Sequence, residues 1–420
     1  MVDKYFPIKT GVACPLKWTW NTVRLQEGTT ASCHRVVNVP LDLENFDSFH
    51  NNETWISHRK MQLAGEFPQA GCQYCENIEK AGGVSDRMTH LKIPNLVPPE
   101  LEADPTALVV TPRILEVFLD NTCNLACIYC DESNSTRIEH ENKKFGYEIK
   151  GIPIINQIDR HKDFEQLQDK FFLYLKKNYH HFKRLHILGG EPFFQDSFSR
   201  LMSVVESNTN PDLELNIVTN LMVSEKKLQK FIDTVKQLIL NRQIKRLDIT
   251  VSLDGWGPEQ EYIRYGLNLK TFQQNFELLL KHKWIIMNVN GTITSLSIRT
   301  MPELIKILNQ YRSKRKIHHT FSLVDNRPHL HPRIFGPGFF DKDFDNIINC
   351  MTSNTEWTRN QLDYMIGIKK SLSNSVENRE QLRNLKLYLD ELDRRRNLNW
   401  YSLFPWLNEY FKESNITDVV

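Results

Sequence analysis

Ile114-Leu-Glu-Val-Phe-Leu-Asp120, followed by Asn121-Thr-Cys123-Asn-Leu-Ala-Cys127-Ile-Tyr-Cys130, is the stretch that decides how this chain is read. The first seven residues carry the apolar, β-branched character of a buried strand. The loop that leaves it bears three thiols spaced C-x3-C-x2-C. A cubane of four irons and four sulfides wants a terminal ligand on each iron, so three protein thiolates leave one iron open to a substrate or cofactor. A structural zinc ion closes with four ligands, which this loop alone does not supply.

Outward from that loop, strand and helix signals alternate from about 113 to 325. Strands are expected over 114–119, 184–188, 214–219, 246–253, 285–292 and 318–324. Amphipathic helices are expected over 164–178, 198–207, 225–240, 271–281 and 301–310. Six βα repeats imply a parallel sheet with right-handed crossovers, too few for a closed eight-stranded barrel. The fold class is therefore α/β, with an open, partial (β/α)6 TIM-like barrel over 111–330. Residues 1–110 read as a separate loop-rich region, and residues 331–420 as mainly helical, with periodicity over 339–351, 357–398 and 400–411. The polar segment 132–160 lacks clear periodicity and reads as a long loop or lid beside the cysteines.

In such a sheet functional groups gather at the carboxyl ends of strands. The marked sequences stand there: Gly189-Gly-Glu-Pro192 after the second strand, Thr219-Asn220 after the third, Ser252-Leu-Asp-Gly255 after the fourth. With the cysteine loop and its aromatic Tyr129, these motifs resemble the radical S-adenosylmethionine (SAM) enzymes. The resemblance implies the partial barrel. It also implies a [4Fe–4S] cluster on Cys123, Cys127 and Cys130, and reductive cleavage of SAM to a 5′-deoxyadenosyl radical that abstracts hydrogen from a substrate. By the same resemblance Tyr129 packs near the adenine. Gly189, Gly190 and Glu191 meet the SAM amino group, and Thr219 and Asn220 lie along the SAM floor. Ser252 and Asp254 stand near the ribose, and Arg264, in Tyr262-Ile-Arg-Tyr-Gly266, pairs with the SAM carboxylate.

Four further cysteines, Cys14, Cys33, Cys72 and Cys75, are spaced C-x18-C-x38-C-x2-C. Four thiolates close either a zinc tetrahedron or a second iron–sulfur cluster, and spacing alone does not choose. Gly28-Thr-Thr-Ala-Ser-Cys33 is similar to the G-x4-C element of twitch and SPASM domains, which implies an auxiliary [4Fe–4S] cluster in a twitch-like region over 1–110. In that family these domains usually follow the barrel; here the cysteines precede it. Trp18-Thr-Trp20 reads as packing near Cys14, and His34 and Arg35 as donors to cluster sulfurs or exposed groups. Cys350 reads as a small core residue, and His186, His318 and His319 as hydrogen-bonded core or surface groups.

The bulk numbers fit this reading. The 420 residues are 40% hydrophobic and 25% charged, with a formal net charge of +2, which gives no bulk electrostatic case for nucleic acid or membrane. The basic runs Arg312-Ser-Lys-Arg-Lys316 and Arg394-Arg-Arg396 read as solvated helix faces or ends. No apolar run approaches the ~20 residues that span a bilayer, and the start lacks a secretory apolar core. The cytoplasm is the expected compartment, where eight cysteines serve as ligands or free thiols rather than disulfides. The expected substrate is a peptide or protein side chain, with a flavodoxin or ferredoxin as electron donor. The alternative is dehydrogenation, epimerisation or rearrangement of a small molecule or nucleotide. From another class, the alternative is a zinc-stabilised, non-catalytic binding protein.

Overall fold

The computed structural model describes residues 5–80, 82–150, 155 and 157–416. Their strands, in chain order, are β1 (Trp20–Arg24), β2 (Thr29–Ala31), β3 (Val39–Pro40), β4 (Ile114–Phe118), β5 (Ala126–Cys127) and β6 (Arg184–Leu188). There follow β7 (Glu214–Thr219), β8 (Arg246–Ser252), β9 (Arg264–Tyr265), β10 (Ile286–Ile293) and β11 (His318–Leu323). Every strand expected between 113 and 325 is present within a residue of its predicted bounds, and the five helices expected between them are present within two. The fold is mixed α/β with parallel strands and many helices.

The chain divides into two compact units. One takes in residues up to Asn121 with 159–217 and 229–247; the other takes in 122–158, 218–228 and 248 onward. In the first unit β1, β4, β6 and β7 run parallel in that order. The N-terminal residues do not stand apart, because β1 pairs with β4 along its whole length, Trp20 opposite Ile114 through Arg24 opposite Phe118. β2 and β3 continue the sheet antiparallel. One sheet face buries Leu115, Val117, Leu185, Ile187, Leu215 and Ile217, and the helix Phe164–Asn178 buries Phe171, Phe172 and Leu175. The opposite face carries polar groups. Thr22, Glu116 and His186 are register partners, and the buried Glu116 carboxylate accepts from Thr22 Oγ1 at 2.9 Å and lies 3.2 Å from His186 Nδ1.

In the second unit β8, β10 and β11 run parallel, and β5 pairs antiparallel with β9. Its core gathers Ile293, Leu296 and Ile305 with Phe344, Met365, Leu385, Trp400 and Phe411 of the C-terminal helices.

The region 1–110 is rich in loops, as expected, and within them holds β1–β3 and the helices Glu53–Leu63 and Gln69–Lys80. The structure departs from expectation in three places. The polar segment 132–160 contains the helix Thr136–Phe145, started by the Ser135 side chain accepting from Ile138 N–H. It buries only Ile138 and Asn142, too few points to register as periodicity. The stretch 357–398 is two helices, Arg359–Ser373 and Arg379–Arg396, divided where Asn378 caps the second; 400–411 divides at Pro405, which has no N–H to continue a helix. The basic runs are solvated only in part: Lys314, Lys316 and Arg394 are exposed, but the other cations are not. Arg312 is buried against the Trp357 ring, Arg315 donates to the carbonyls of Leu279, Leu280 and His282, and Arg396 is buried in an ion pair with Glu141.

Candidate iron–sulfur and SAM site

The loop leaving β4 is held from several directions. Cys127 lies on β5, whose partner β9 places Arg264 directly opposite it. The Arg264 guanidinium grips Asp254 in a fork, Nε to Oδ2 at 2.8 Å and Nη2 to Oδ1 at 2.9 Å. Tyr129 donates its hydroxyl to Asp254 Oδ2 at 2.7 Å, and Thr292 N–H donates to Oδ1 at 2.7 Å. Each carboxylate oxygen thus accepts two hydrogen bonds, which satisfies a charge that is 1% exposed. Arg264 Nη1 is left 4.0 Å from Cys127 Sγ. The family resemblance implies a ribose beside Asp254 and a carboxylate beside Arg264; in the structure the two side chains bond each other.

Cys123 is met from the end of β7. Asn220 Nδ2 donates to Asn124 Oδ1 at 2.8 Å and stands 3.9 Å from Cys123 Sγ. Asn220 Oδ1 accepts from Met222 N–H, and Thr219 Oγ1 accepts from Leu221 N–H at 2.9 Å, which fixes the turn after the strand. Ser252 ends β8 opposite Asn290. These residues, with Tyr129, belong to the second unit. Gly189, Gly190 and Glu191 belong to the first. Both glycines have positive φ, 82° and 58°, a region a side chain disfavours. Glu191, 1% exposed, starts the short helix Pro192–Phe194 by accepting from Phe193 N–H.

Burial pushes the Cys127 and Cys130 thiols up. For Cys130 the neighbouring thiols add to the effect; for Cys127 the Arg264 charge opposes it. Free thiols here stay protonated, and a bound metal draws them to thiolates.

Sequence reasoning missed several supports of this loop. Tyr388, on the helix Arg379–Arg396, donates to the Ile128 carbonyl at 2.7 Å, and Arg327 Nη2 donates to the Cys130 carbonyl at 2.8 Å. Glu132 accepts from Asn142 Nδ2 and from Ile158 N–H, and Arg395 and Arg396 bond Asn142 and Glu141 of the helix Thr136–Phe145. Their only sequence signal is the Arg394–Arg396 run, whose like charges need carboxylate partners once buried.

The other four cysteines line one pocket in the first unit, with Lys17, Arg35, Gln62 and Arg87. Cys14 precedes the helix Leu16–Thr19, Cys33 follows β2, and Cys72 and Cys75 lie on the helix Gln69–Lys80. Gly71, at φ 90°, lets that helix approach the Arg35–Val36 backbone, where a Cβ would overlap the Arg35 carbonyl. Burial pushes Cys33 up to about 11 and raises Cys14 and Cys72 as well; each also feels other thiols of the four. Trp20 packs on this cysteine core, Arg35 N–H points at Cys33 Sγ at 3.4 Å, and His34 and Arg35 bond Asp86. Trp18 is fully buried and donates to the Ala107 carbonyl. Cys350 is half-buried on the helix Asp341–Thr352.

Among the described residues no three His, Cys, Asp or Glu side chains close around a single-ion position. The donor chemistry nevertheless suits metal–thiolate groups. Gln62 lines the four-thiol pocket, and its Nε2 is buried without a hydrogen-bond partner, as a donor awaiting a sulfur acceptor would be. The three-thiol loop has the Asn220 amide and the Arg264 guanidinium about its sulfurs.

No protein-family model and no curated protein sequence matches this chain. Among solved structures it is similar to anSMEcpe with bound AdoMet and the Kp18Cys peptide: 18% identity, TM-score 0.37, over 64% of this chain and 63% of that one. It is similar also to Streptococcus suis SuiB bound to S-adenosylmethionine: 14% identity, TM-score 0.36, over 72% and 61%. SuiB bound to its precursor peptide SuiA gives 13% identity, TM-score 0.35, over 89% and 68%. The chain thus spans less than two thirds of the length of the first two. Among the described residues no helix is long and apolar enough to cross a membrane.

Proposed function

We propose that this chain is a radical SAM enzyme built on a partial (β/α)6 barrel, with an auxiliary cluster in its N-terminal region. The observation that carries the proposal is the Cys123–Cys127–Cys130 loop, held in one place by the Asp254–Arg264 pair and by Asn220. Cys123, Cys127 and Cys130 would hold a [4Fe–4S] cluster; Cys14, Cys33, Cys72 and Cys75 would hold a second. When bound, the first cluster with SAM supplies a one-electron cleavage that yields a 5′-deoxyadenosyl radical for hydrogen abstraction.

The chain's own part is to bind and orient. Gly189 and Gly190 present bare backbone where Glu191 and the SAM amino group would meet. Tyr129 is fixed through its hydroxyl beside Asp254, leaving its ring for the adenine. Thr219, Asn220 and Ser252 furnish polar strand ends for the remainder of SAM. Arg264 puts positive charge at Cys127, which favours a thiolate there, while Asp254 fills its fork. We assign a peptide or protein side chain as the substrate class, on the resemblance of the N-terminal cysteines to twitch and SPASM elements, and a flavodoxin or ferredoxin as electron donor.

Metal analysis tests the class. Protein purified without oxygen should be brown, absorb near ~400 nm, and carry iron and sulfide for about two cubanes. Colourless protein holding zinc alone would instead make it a zinc-stabilised binding protein.

A further inference from the structure

Three cations line the four-cysteine pocket, and they are not alike. Arg87 is paired with Glu79, and Arg35 with Asp86. Among the described residues Lys17 has no carboxylate partner. It is 1% exposed, and its ammonium stands 3.1 Å from Ser32 Oγ, 3.3 Å from His58 Nδ1 and 5.5 Å from the Trp55 ring, and bonds the Cys72 thiol. Burial, with the Lys17 charge behind it, pushes His58 down to about 4, so at neutral pH this imidazole is an uncharged acceptor. A buried ammonium is costly unless an anion offsets it. The neutral thiols around it offer none. Four thiolates on a metal core offer net negative charge in the pocket that Lys17 lines.

We propose that Lys17 is the charge partner of the metal–thiolate group held by Cys14, Cys33, Cys72 and Cys75, and that it favours that group's reduced state. The proposal rests on reading these cysteines as an auxiliary cluster site. A [4Fe–4S] core with four thiolates carries two negative charges when oxidised and three when reduced. One fixed positive charge stabilises the reduced form more, and net charge and hydrogen bonds to sulfur are the levers that set such potentials. Gln62 lines the same pocket, its Oε1 accepting from Cys14 N–H, and its buried, unpartnered Nε2 is a donor that would act in the same direction.

The test isolates this group in a Cys123→Ala, Cys127→Ala, Cys130→Ala background, reconstituted anaerobically with iron and sulfide. Potentiometric titration is followed by electron paramagnetic resonance of the reduced cluster. Lys17→Met should shift the reduced-to-oxidised ratio at fixed potential at least tenfold toward oxidised, about 59 mV for one electron. Lys17→Arg should stay near the parent. If Lys17→Met folds, by circular dichroism, but loses iron that Lys17→Arg retains, the charge-partner role stands, and the redox shift is read on the cluster that remains. Coincident titrations of parent and Lys17→Met, or equal iron loss in both lysine variants, overturn the role of Lys17 alone. A parent protein that takes up zinc and no iron overturns the cluster reading itself, and the redox role with it.

Discussion

The two cysteine sites are built in opposite ways. The three-thiol site is one loop of eight residues, Cys123 to Cys130, and the fold's task is to hold that loop still. It does so with polar anchors on backbone and side chains, from Asn220, Arg264, Arg327 and Tyr388. The four-thiol site has no such unit. Cys14, Cys33 and the Cys72–Cys75 pair come from a loop, a strand end and a helix, brought together by packing and by the side-chain-free approach at Gly71. The first site is local chemistry supported by tertiary structure; the second is created by tertiary structure. The first should therefore tolerate loss of a single support better than the second.

The largest effect expected is a clean separation of the two by single ligands. Cys127→Ala should abolish reductive formation of 5′-deoxyadenosine and leave the iron of the four-thiol site. Cys75→Ala should remove about one cubane's worth of iron and spare substrate-free deoxyadenosine formation. Chromatography of the nucleoside and iron assay read both; retained deoxyadenosine in Cys127→Ala would break the comparison.

Asp254→Asn comes next. It leaves the buried Arg264 guanidinium without its anion, at an expected cost of about 3–5 kcal/mol in unfolding free energy. A lower denaturant midpoint at unchanged slope is the expected result. An unshifted midpoint would mean the pair does not hold the three-thiol loop.

Gly71→Ala forces a side chain onto a left-handed residue and into the Arg35 carbonyl, an expected cost of about 1–3 kcal/mol. Iron should fall at the four-thiol site only, and deoxyadenosine formation should persist. Smallest is Tyr388→Phe, which removes one hydrogen bond to the Ile128 carbonyl and about 0.5–1.5 kcal/mol. Because other anchors remain, cluster content should be unchanged while thermal stability drops slightly.

The same contrast explains what the sequence revealed. Strands β4, β6, β7, β8, β10 and β11 were legible because most are short, rich in Val, Ile, Leu or Phe, and followed by Gly, Asn or Asp. The three-thiol loop was legible because its ligands are neighbours in the chain. The helix Thr136–Phe145 was not, since its surface is charged and it buries so little. Nor was the burial of Arg396, whose partner Glu141 lies 255 residues away. The Asp254–Arg264 fork lay hidden for another reason. A resemblance assigns each residue to a ligand, whereas only coordinates show that the two face each other. Lys17 escaped notice because a lysine in sequence reads as solvent-exposed, and only its burial among thiols marks it.

The most direct measurement of the central claim is ⁵⁷Fe Mössbauer spectroscopy of the anaerobically reconstituted Cys75→Ala protein, before and after SAM is added. A cubane held by Cys123, Cys127 and Cys130 has one iron without a protein thiolate, so SAM should shift the signal of one iron in four. A spectrum indifferent to SAM, or a triad that holds no iron, would contradict it.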